Sequence, residues 1–308
     1  MAVKPPQRTV CILGGTGFVG RSLTRRLVSK GYSVVIPTRD RQRKQTLLEL
    51  RDVDLVQGDV HEEQFLRQLL TGSDAAINLV GILNEKGHDG AGFRRAHVEL
   101  TEKLVRACHE AGTRRLLHMS ALQANAERGP SHYLRTKGRA EQALKSLAGE
   151  GIKYTVFQPS VIFGPEDSFI NRFARLLRFS PVLPLPKLGA RFAPVFVEDV
   201  AEAFSVALEN STTYGRTYEL CGPDVYTFGE ILAYIQATLG IKRVVLEVPD
   251  LLGELQAGLI DYLVPGKPFS LDNFRSLSVA SVCTEDGLAA LGIKARPMTT
   301  VVPQYLKA

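Results

Sequence analysis

The chain has 308 residues, and 44% of them are hydrophobic, which is enough to bury a core larger than that of one small domain. Its formal net charge is +6, but no basic run is interleaved with aromatic residues, so nucleic-acid binding is not expected. An apolar run of about eighteen residues, as a membrane-spanning helix needs, is absent. The first strand candidate begins by Thr9, which leaves no room for a signal peptide. We therefore expect a cytoplasmic globular protein, with peripheral association at the inner membrane as the alternative.

A glycine-rich turn follows the first apolar run, Thr9 to Leu13, and precedes a stretch with helical spacing. The turn reads Gly14-Gly15-Thr16-Gly17-Phe18-Val19-Gly20. In such a turn Gly14 permits the tight bend, Gly17 lets the backbone approach a phosphate, and Gly20 allows close helix packing. The N–H groups at the helix start then attract the anion. The turn predicts a dinucleotide site, although any tight strand–helix connection also favours glycine.

Apolar, strand-like segments alternate with helical ones through the first half of the chain. The six strand candidates are Thr9 to Leu13, Ser33 to Thr38, Val53 to Val56, Asp74 to Val80, Arg114 to Met119 and Lys153 to Gln158. This alternation predicts an α/β fold with a doubly wound parallel sheet, whose ligands bind at the carboxyl ends of the strands.

Candidate cofactor contacts fall at those strand ends. Asp59 and Val60 follow the third strand, where they would contact an adenine; Asp59 as an ordinary turn residue is the alternative. The other candidates follow the fourth and sixth strands and are Leu79, Val80, Gly81, Pro159, Ser160 and Val161.

The end of the second strand bears on which nicotinamide cofactor is bound. An acid there usually binds the ribose 2′-hydroxyl of NAD, whereas an arginine accommodates the 2′-phosphate of NADP. Here Arg39, Arg41, Arg43 and Lys44 surround the single acid Asp40. The pattern favours NADP(H), with Arg39 and Arg43 as contacts. Asp40 keeps NAD(H) possible, and a solvated basic helix start is the alternative without a ligand.

Tyr133 and Lys137 are four residues apart at the start of a helix that follows the fifth strand, and Ser120 closes that strand. Residues i and i+4 share a helix face, so the ammonium of Lys137 is expected to lower the pKa of the Tyr133 phenol. Tyr133 would then transfer a proton while Ser120 hydrogen-bonds the substrate oxygen. In the alternative, Tyr133 and Lys137 only hold the nicotinamide ribose.

These motifs together resemble the short-chain dehydrogenases/reductases, in their extended or atypical form, which is the NAD(P)-dependent epimerase/dehydratase superfamily. The chain is also similar to the nucleotide-binding accessory subunit of respiratory complex I and its bacterial relatives. The segments that carry this similarity are Pro159 to Phe173, Pro194 to Ala201 and Tyr218 to Pro223. The resemblance implies a Rossmann domain and extends over nearly the whole chain.

The resemblance implies two different functions. One is an NADP(H)-dependent oxidoreductase, epimerase or dehydratase that acts on a small molecule or quinone-related ligand in the interdomain cleft. The other is a non-catalytic, cofactor-holding accessory or assembly factor with a respiratory-complex or membrane-surface partner. The stretch His118 to Leu122 has a single hydroxyl where sugar epimerases tend to have a Ser/Thr pair, which weakens the nucleotide-sugar interpretation.

The expected organisation is a cofactor domain over residues 1–163 and a smaller, partly interleaved α/β domain over 164–308. About 194–210 is expected to return to the main sheet as a strand and a helix, and the proline-rich stretch Pro181 to Pro186 to be a connection.

The four cysteines are Cys11, Cys108, Cys221 and Cys283, which are widely separated and have no metal-binding spacing. We therefore expect buried thiols, with no disulfide and no metal site.

A late segment, Asp250 to Val264, has large apolar side chains at helical spacing. We expect them to pack into the smaller domain, with docking on lipid or a partner as the alternative. These side chains are Leu251, Leu252, Leu255, Leu259, Ile260 and Leu263.

Overall fold

The computed structural model of the protein describes residues 8–40, 47, 50–263 and 269–307. Seven parallel strands form the main sheet: β1 (Thr9–Leu13), β2 (Ser33–Thr38), β3 (Val53–Gln57), β4 (Ala75–Asn78), β5 (Arg115–Met119), β6 (Lys153–Pro159) and β11 (Arg216–Leu220). Their spatial order is β11-β6-β5-β4-β1-β2-β3, so the strand order reverses between β1 and β4. The predicted doubly wound parallel sheet is confirmed, and its switch point lies at the carboxyl end of β1.

Helices cover both faces of this sheet. The described α-helices from residue 18 to residue 209 are α1 (Phe18–Ser29), α2 (Glu63–Leu70), the short α3 (Ala91–Arg94), α4 (Leu100–Ala111), α5 (His132–Ala148), α6 (Ile170–Phe179) and α7 (Val197–Glu209). Of these, α6 packs in the smaller part of the protein. A π-helical turn, Arg95–Glu99, joins α3 to α4. One buried cluster contains side chains of α1 and α7, and a second contains side chains of α2, α4 and α5.

A third buried cluster forms the core of the smaller, C-terminal part. Its short strands pair two by two and are β7 (Ile162–Phe163), β8 (Val182–Pro186), β9 (Arg191–Phe192), β10 (Val195–Phe196), β12 (Tyr226–Thr227) and β13 (Val244–Val248). The remaining helices are α8 (Phe228–Leu239), α9 (Asp250–Leu263), α10 (Leu271–Ser276), α11 (Gly287–Ala290) and α12 (Met298–Leu306). In the described ranges, no helix combines the length and apolar character needed to cross a bilayer.

The way the chain returns to the main sheet differs from the expectation. β10 pairs with β7 in a sheet of its own, because the Val195 N–H donates to the Val161 carbonyl beyond the end of β6. Helix α7 does return and packs against α1. The strand that joins the main sheet is β11, which pairs in parallel with Thr155 to Pro159 of β6.

Two further expectations are wrong. The proline-rich stretch forms strand β8, because β13 pairs with it in parallel and prolines are tolerated at such an edge. Cys221 and Cys283 form a disulfide across 62 positions, since pairing of β11 brings the end of that strand beside residue 283. Cys11 and Cys108 are buried thiols, as expected.

Candidate functional site

The glycine-rich turn connects β1 to α1 at the switch point of the sheet. Gly14 has a φ of +80°, a conformation that side chains rarely adopt, and a Cβ there would lie 3.1 Å from the Leu79 carbonyl carbon. A Cβ at Gly20 would lie 2.4 Å from the Gly14 oxygen. At Gly17 a Cβ would meet only the Gly14 oxygen, at 3.2 Å, and this residue is exposed. A side chain at Gly14 or Gly20 would therefore clash with neighbouring backbone atoms, whereas the surface of the turn at Gly17 is accessible to a ligand.

The start of α1 is suited to an anion. Gly17 caps the helix without a side-chain hydrogen bond, and the first turn contains no acidic residue. The N–H groups of Phe18, Val19 and Gly20 therefore have no acceptor within the helix. Thr16 has its carbonyl bonded to the Arg21 guanidinium at 2.8 Å, which holds the preceding peptide in place. These features fit a dinucleotide pyrophosphate.

The residues expected at the adenosine end lie at the ends of β2 and β3. The side chain of Arg39 is exposed. Asp59 accepts a hydrogen bond from the His61 N–H at 3.0 Å, so it stabilises its own turn whether or not it contacts an adenine. Val60 packs against the core beneath that turn. The predicted contact Arg43 lies outside the described residues, as do the neighbouring cations Arg41 and Lys44.

The end of β4 lies directly beside the glycine turn. The Leu79 N–H donates to the Leu13 carbonyl at 2.9 Å, and the Val80 N–H donates to the Asn78 side chain at 3.1 Å. Gly81 follows, and a Cβ there would lie 3.2 Å from Lys137 Nζ and 3.7 Å from His97 Nε2. The structure therefore brings Gly81 and Lys137 together, although 56 positions separate them in the chain.

Tyr133 lies in the first turn of α5, packed edge-on against His97 with ring centroids 5.6 Å apart. Its N–H donates to the Asp272 carboxylate at 3.0 Å. Burial, and then the charge of Asp272, raise the pKa of Tyr133 to about 12. The expectation that this pKa is lowered is therefore wrong.

Lys137 is buried one turn further along the helix, and its ammonium donates to the Met119 carbonyl at 2.9 Å. Burial lowers the pKa of Lys137 to about 8, an effect that the charge of Glu141 opposes. The side chain therefore remains mostly protonated at neutral pH. Its bond to Met119 directs the ammonium toward the end of β5, where Ser120 follows.

Ser120 is buried, and its hydroxyl has no hydrogen-bond partner among the residues that the structure describes. Its N–H donates to the Phe157 carbonyl at 2.7 Å, which fixes the backbone. An unpaired buried hydroxyl is costly unless a ligand or water satisfies it. This observation fits a ligand oxygen at the carboxyl end of β5.

The segment after β6 is held by other contacts. The Pro159 carbonyl accepts from the Leu122 N–H at 3.0 Å, and the Ser160 hydroxyl donates to the Ser281 carbonyl at 2.7 Å. The Val161 carbonyl accepts from Val195. The Ser160 side chain thus joins the two parts of the chain, and a ligand contact from this segment would fall to other groups.

The sequence of residues 10–221 matches the NAD dependent epimerase/dehydratase family. The chain belongs to this family. As a member of the epimerase/dehydratase family with this sheet and turn, it is an NAD(P)-binding protein of the extended short-chain dehydrogenase/reductase type, related to the complex I accessory subunit.

Three known proteins show what this chain is similar to. A mitochondrial NADH dehydrogenase [ubiquinone] 1 alpha subcomplex subunit 9 from Arabidopsis thaliana is 29% identical over 90% of this chain and 71% of its own length. A ceramide reductase from Caulobacter vibrioides is 30% identical over 82% of this chain and 76% of its own. An NADPH-dependent quinone oxidoreductase from Escherichia coli, solved with NADPH, has a TM-score of 0.77, 18% identity and coverage of 97% and 100%.

Sequence reasoning missed His97, which lies in the π-helical turn of this epimerase/dehydratase-family protein. Its Nε2 accepts from the Ile82 N–H at 3.2 Å, so its Nδ1 carries the proton and donates to Thr136 at 2.9 Å. Burial, and then the charge of Lys137, hold the pKa of His97 well below its usual range. π-Helical turns are frequent at functional sites, but sequence spacing alone does not reveal them.

Asp272 was also missed, because it is remote in sequence from α5. Its two oxygens accept from the His132 and Tyr133 N–H groups at 2.7 and 3.0 Å. It lines a cavity of about 220 Å³ together with Glu85, Phe93, Asp261 and Arg275.

Proposed function

We propose that this protein binds NADP(H) in preference to NAD(H) and reduces a carbonyl or quinone-type compound beside Tyr133. The observation that carries the proposal is the buried Ser120 hydroxyl, which has no partner among the described residues and follows the Met119 carbonyl that accepts from the Lys137 ammonium. Known relatives with reductase names support a reaction of this class. The exposed position of Arg39 at the end of β2 supports the preference for NADP(H), because an arginine there can bind the 2′-phosphate.

In this proposal Ser120, Tyr133 and Lys137 have separate roles in the reaction. The nicotinamide, when bound, supplies the hydride. The Ser120 hydroxyl donates a hydrogen bond to the ligand oxygen, and Tyr133 Oη delivers the proton. The pKa of Tyr133, which burial raises to about 12, leaves the phenol protonated at neutral pH, the form that can donate a proton. Lys137 holds its positive charge beside Gly81, where it would bind the nicotinamide ribose.

A titration of both cofactors tests the preference. We expect NADPH to bind more tightly than NADH, and Arg39→Asp to weaken NADPH binding by about 10- to 100-fold, because a charge-assisted hydrogen bond contributes roughly 1.5–3 kcal/mol. NADH binding should change little. Arg139→Asp, at an exposed position on α5, is the matched control. Equal affinities of the parent protein for the two cofactors would contradict the proposal.

The second candidate is a cofactor-holding accessory factor of a respiratory complex. It is supported by the contacts of α10 over the start of α5: Asp272 binds two backbone N–H groups there, and Asn273 Nδ2 donates to the Leu83 carbonyl at 3.0 Å. These bonds cover Tyr133 on the side of the smaller domain. The relatives named as complex I subunits support the same role. Complementation with Tyr133→Phe, described below, separates the two candidates.

A further inference from the structure

Helix α9 packs with its small residues inward and its large ones outward, the reverse of an ordinary surface helix. Ala257 is fully buried, and a Cβ at Gly253 would lie 2.5 Å from the Pro186 side chain. The four leucines on the opposite side are between 53% and 81% exposed: Leu251, Leu252, Leu255 and Leu259. The expectation that they pack into the smaller domain is wrong, while the side chains of Ile260 and Leu263 lie outside the described residues.

The exposed apolar surface continues from α9 onto the β8–β13 sheet. Val244 is opposite Val182 and Leu246 is opposite Pro184, and Val182, Val244 and Leu246 are about half exposed. Pro186, which Gly253 contacts, is on the same face of β8 as Val182 and Pro184 because strand side chains alternate. The leucines of α9 and the exposed side of this sheet therefore lie on one side of β8. We call this surface, with Phe179, the apolar face.

Acidic groups of α9 lie at the flank of the apolar face and are paired. Asp250 Oδ2 is 2.7 Å from Lys187 Nζ, and Glu254 Oε1 is 3.6 Å from Arg275 Nη2. At 100° per residue the four exposed leucines cover an arc of about 100°, and Asp250 and Glu254 fall outside it. The arc itself contains no charged residue.

A group of basic residues on α6 and just before β13 lies at one end of the apolar face. Phe179, 82% exposed, closes α6, and Arg175 and Arg178 are exposed on the same helix. Arg243 bonds to the Leu177 carbonyl and precedes Val244 of β13, while its neighbour Lys242 is exposed. A cavity of about 450 Å³ opens here, lined by Asn171, Arg175, Arg178, Phe179 and Tyr305 among others.

We propose that the apolar face docks on an anionic membrane surface. The leucines and Phe179 enter the boundary between headgroups and acyl chains, and the cavity between Arg175 and Arg178 takes a lipid phosphate. Charge complementarity favours this occupant, because the cations border the apolar side chains as in helices that lie in the membrane interface. A specific protein interface would be enriched in tyrosine, tryptophan and hydrogen-bonding groups, and the residues that define the apolar face are aliphatic apart from Phe179.

The test measures partitioning of the full chain onto vesicles by co-sedimentation. We expect binding to phosphatidylcholine vesicles that contain phosphatidylglycerol, weaker binding to pure phosphatidylcholine, and loss of the difference at high salt. Leu251→Gln with Leu255→Gln should lower partitioning about ten-fold or more on both vesicles. Arg175→Ala with Arg178→Ala should remove the preference for phosphatidylglycerol and keep the weaker binding.

Matched controls are Leu147→Gln, an exposed leucine on α5, and Arg114→Ala with Arg139→Ala; both should bind like the parent. Circular dichroism and thermal unfolding verify that each variant is folded. Should a leucine variant fail to fold, Leu259→Gln alone replaces it.

Equal binding to the two vesicle types, or leucine variants that bind like the parent, would overturn the proposal. The proposal would also be overturned if the protein did not bind vesicles but formed a concentration-dependent dimer in sedimentation velocity, and if the leucine variants were monomeric. The occupant of the apolar face would then be a second copy of the chain. Calorimetric binding of inorganic phosphate without vesicle partitioning would assign the cavity to free phosphate and likewise overturn it.

Discussion

The pKa of Tyr133 follows from burial and a neighbouring carboxylate, and not from the cation that the sequence places one turn away. The helical spacing of Tyr133 and Lys137 correctly predicts a shared helix, but the ammonium donates to the Met119 carbonyl while Asp272 approaches the start of α5. The pKa of Tyr133 therefore rises to about 12. Spacing along a helix reports neighbours on that helix, whereas a pKa depends on every group that packs against it.

Tyr133→Phe keeps the ring contacts with His97 and Phe93 and removes the transferable proton. If Tyr133 donates a proton, turnover of a reducible substrate should fall by roughly 10²-fold or more with NADPH affinity little changed. The measurement is single-turnover NADPH oxidation, together with complementation of a deletion strain. Full rescue by a variant at normal protein level would contradict the catalytic role and favour the accessory one.

His118 provides a prediction about pH. It is buried between Asn78 and Lys137, and burial, then the Lys137 charge, lower its pKa to about 3. An unfolded histidine titrates near 6.5, so between about pH 6.5 and 3 the unfolded state binds the extra proton and stability falls as pH falls. Relative to His118→Asn, the free energy of unfolding of the parent should decrease by about 1.4 kcal/mol more per pH unit in this window.

Urea unfolding at pH 4.5 and 5.5, inside this window, and at pH 7.5, above it, measures how the free energy of unfolding depends on pH. Parallel dependence of the parent and His118→Asn on pH would show that His118 is protonated in the folded protein.

At the scale of elements, two glycines of the turn have different roles. Gly20 is needed for packing, and Gly17 is needed for ligand binding. A Cβ at Gly20 would lie 2.4 Å from the Gly14 oxygen and 2.5 Å from the Gly15 Cα, so Gly20→Ala should cost about 1–3 kcal/mol of stability. Gly17 is exposed and has a φ of −78°, which any residue adopts. Gly17→Val should therefore fold, at a cost of about 1 kcal/mol at the helix cap, and lose cofactor binding.

Thermal unfolding and NADPH titration of the two variants side by side measure this contrast. Cofactor binding that survives in folded Gly17→Val would mean that the phosphates bind elsewhere.

The bounds of strands with a strong apolar pattern were predicted to within one or two residues. Strands whose formation depends on a partner remote in sequence were not predicted. Five of the six predicted strands lie inside the sheet and are mostly apolar, whereas β3 is at an edge with only Leu55 buried and is still indicated by its apolar residues Val53, Leu55 and Val56. The seventh, Arg216–Leu220, is an edge strand in which only Leu220 is fully buried, and its sequence carries little signal. β8 forms from a proline-rich segment because β13, more than fifty residues later, pairs with it.

For the molecule as a whole, the disulfide Cys221–Cys283 closes a loop across 62 positions. Loop closure restricts the unfolded chain, so reduction should lower the free energy of unfolding by about 4 kcal/mol, with a range of 2–5 for known cases. We expect a reductant to shift the urea midpoint of the parent and not that of Cys283→Ser. Equal shifts would place the redox effect outside this pair. The sequence did not reveal the bond because nothing in its spacing distinguishes Cys221 and Cys283 from the two buried thiols.

The position of β11 also affects how this protein is made. A ribosome releases the chain from its N-terminus at about 5–20 residues per second, and domains fold as their segments emerge. Strands β1 to β6 are complete by Pro159, but the edge of β6 remains unpaired until Leu220 has emerged. During that interval the nascent sheet exposes a row of backbone N–H and C=O groups, the kind of edge that pairs with other chains. Truncated chains that stop before residue 220 should therefore aggregate, whereas a circular permutant that begins with β11 would have that strand in place before β6 emerges.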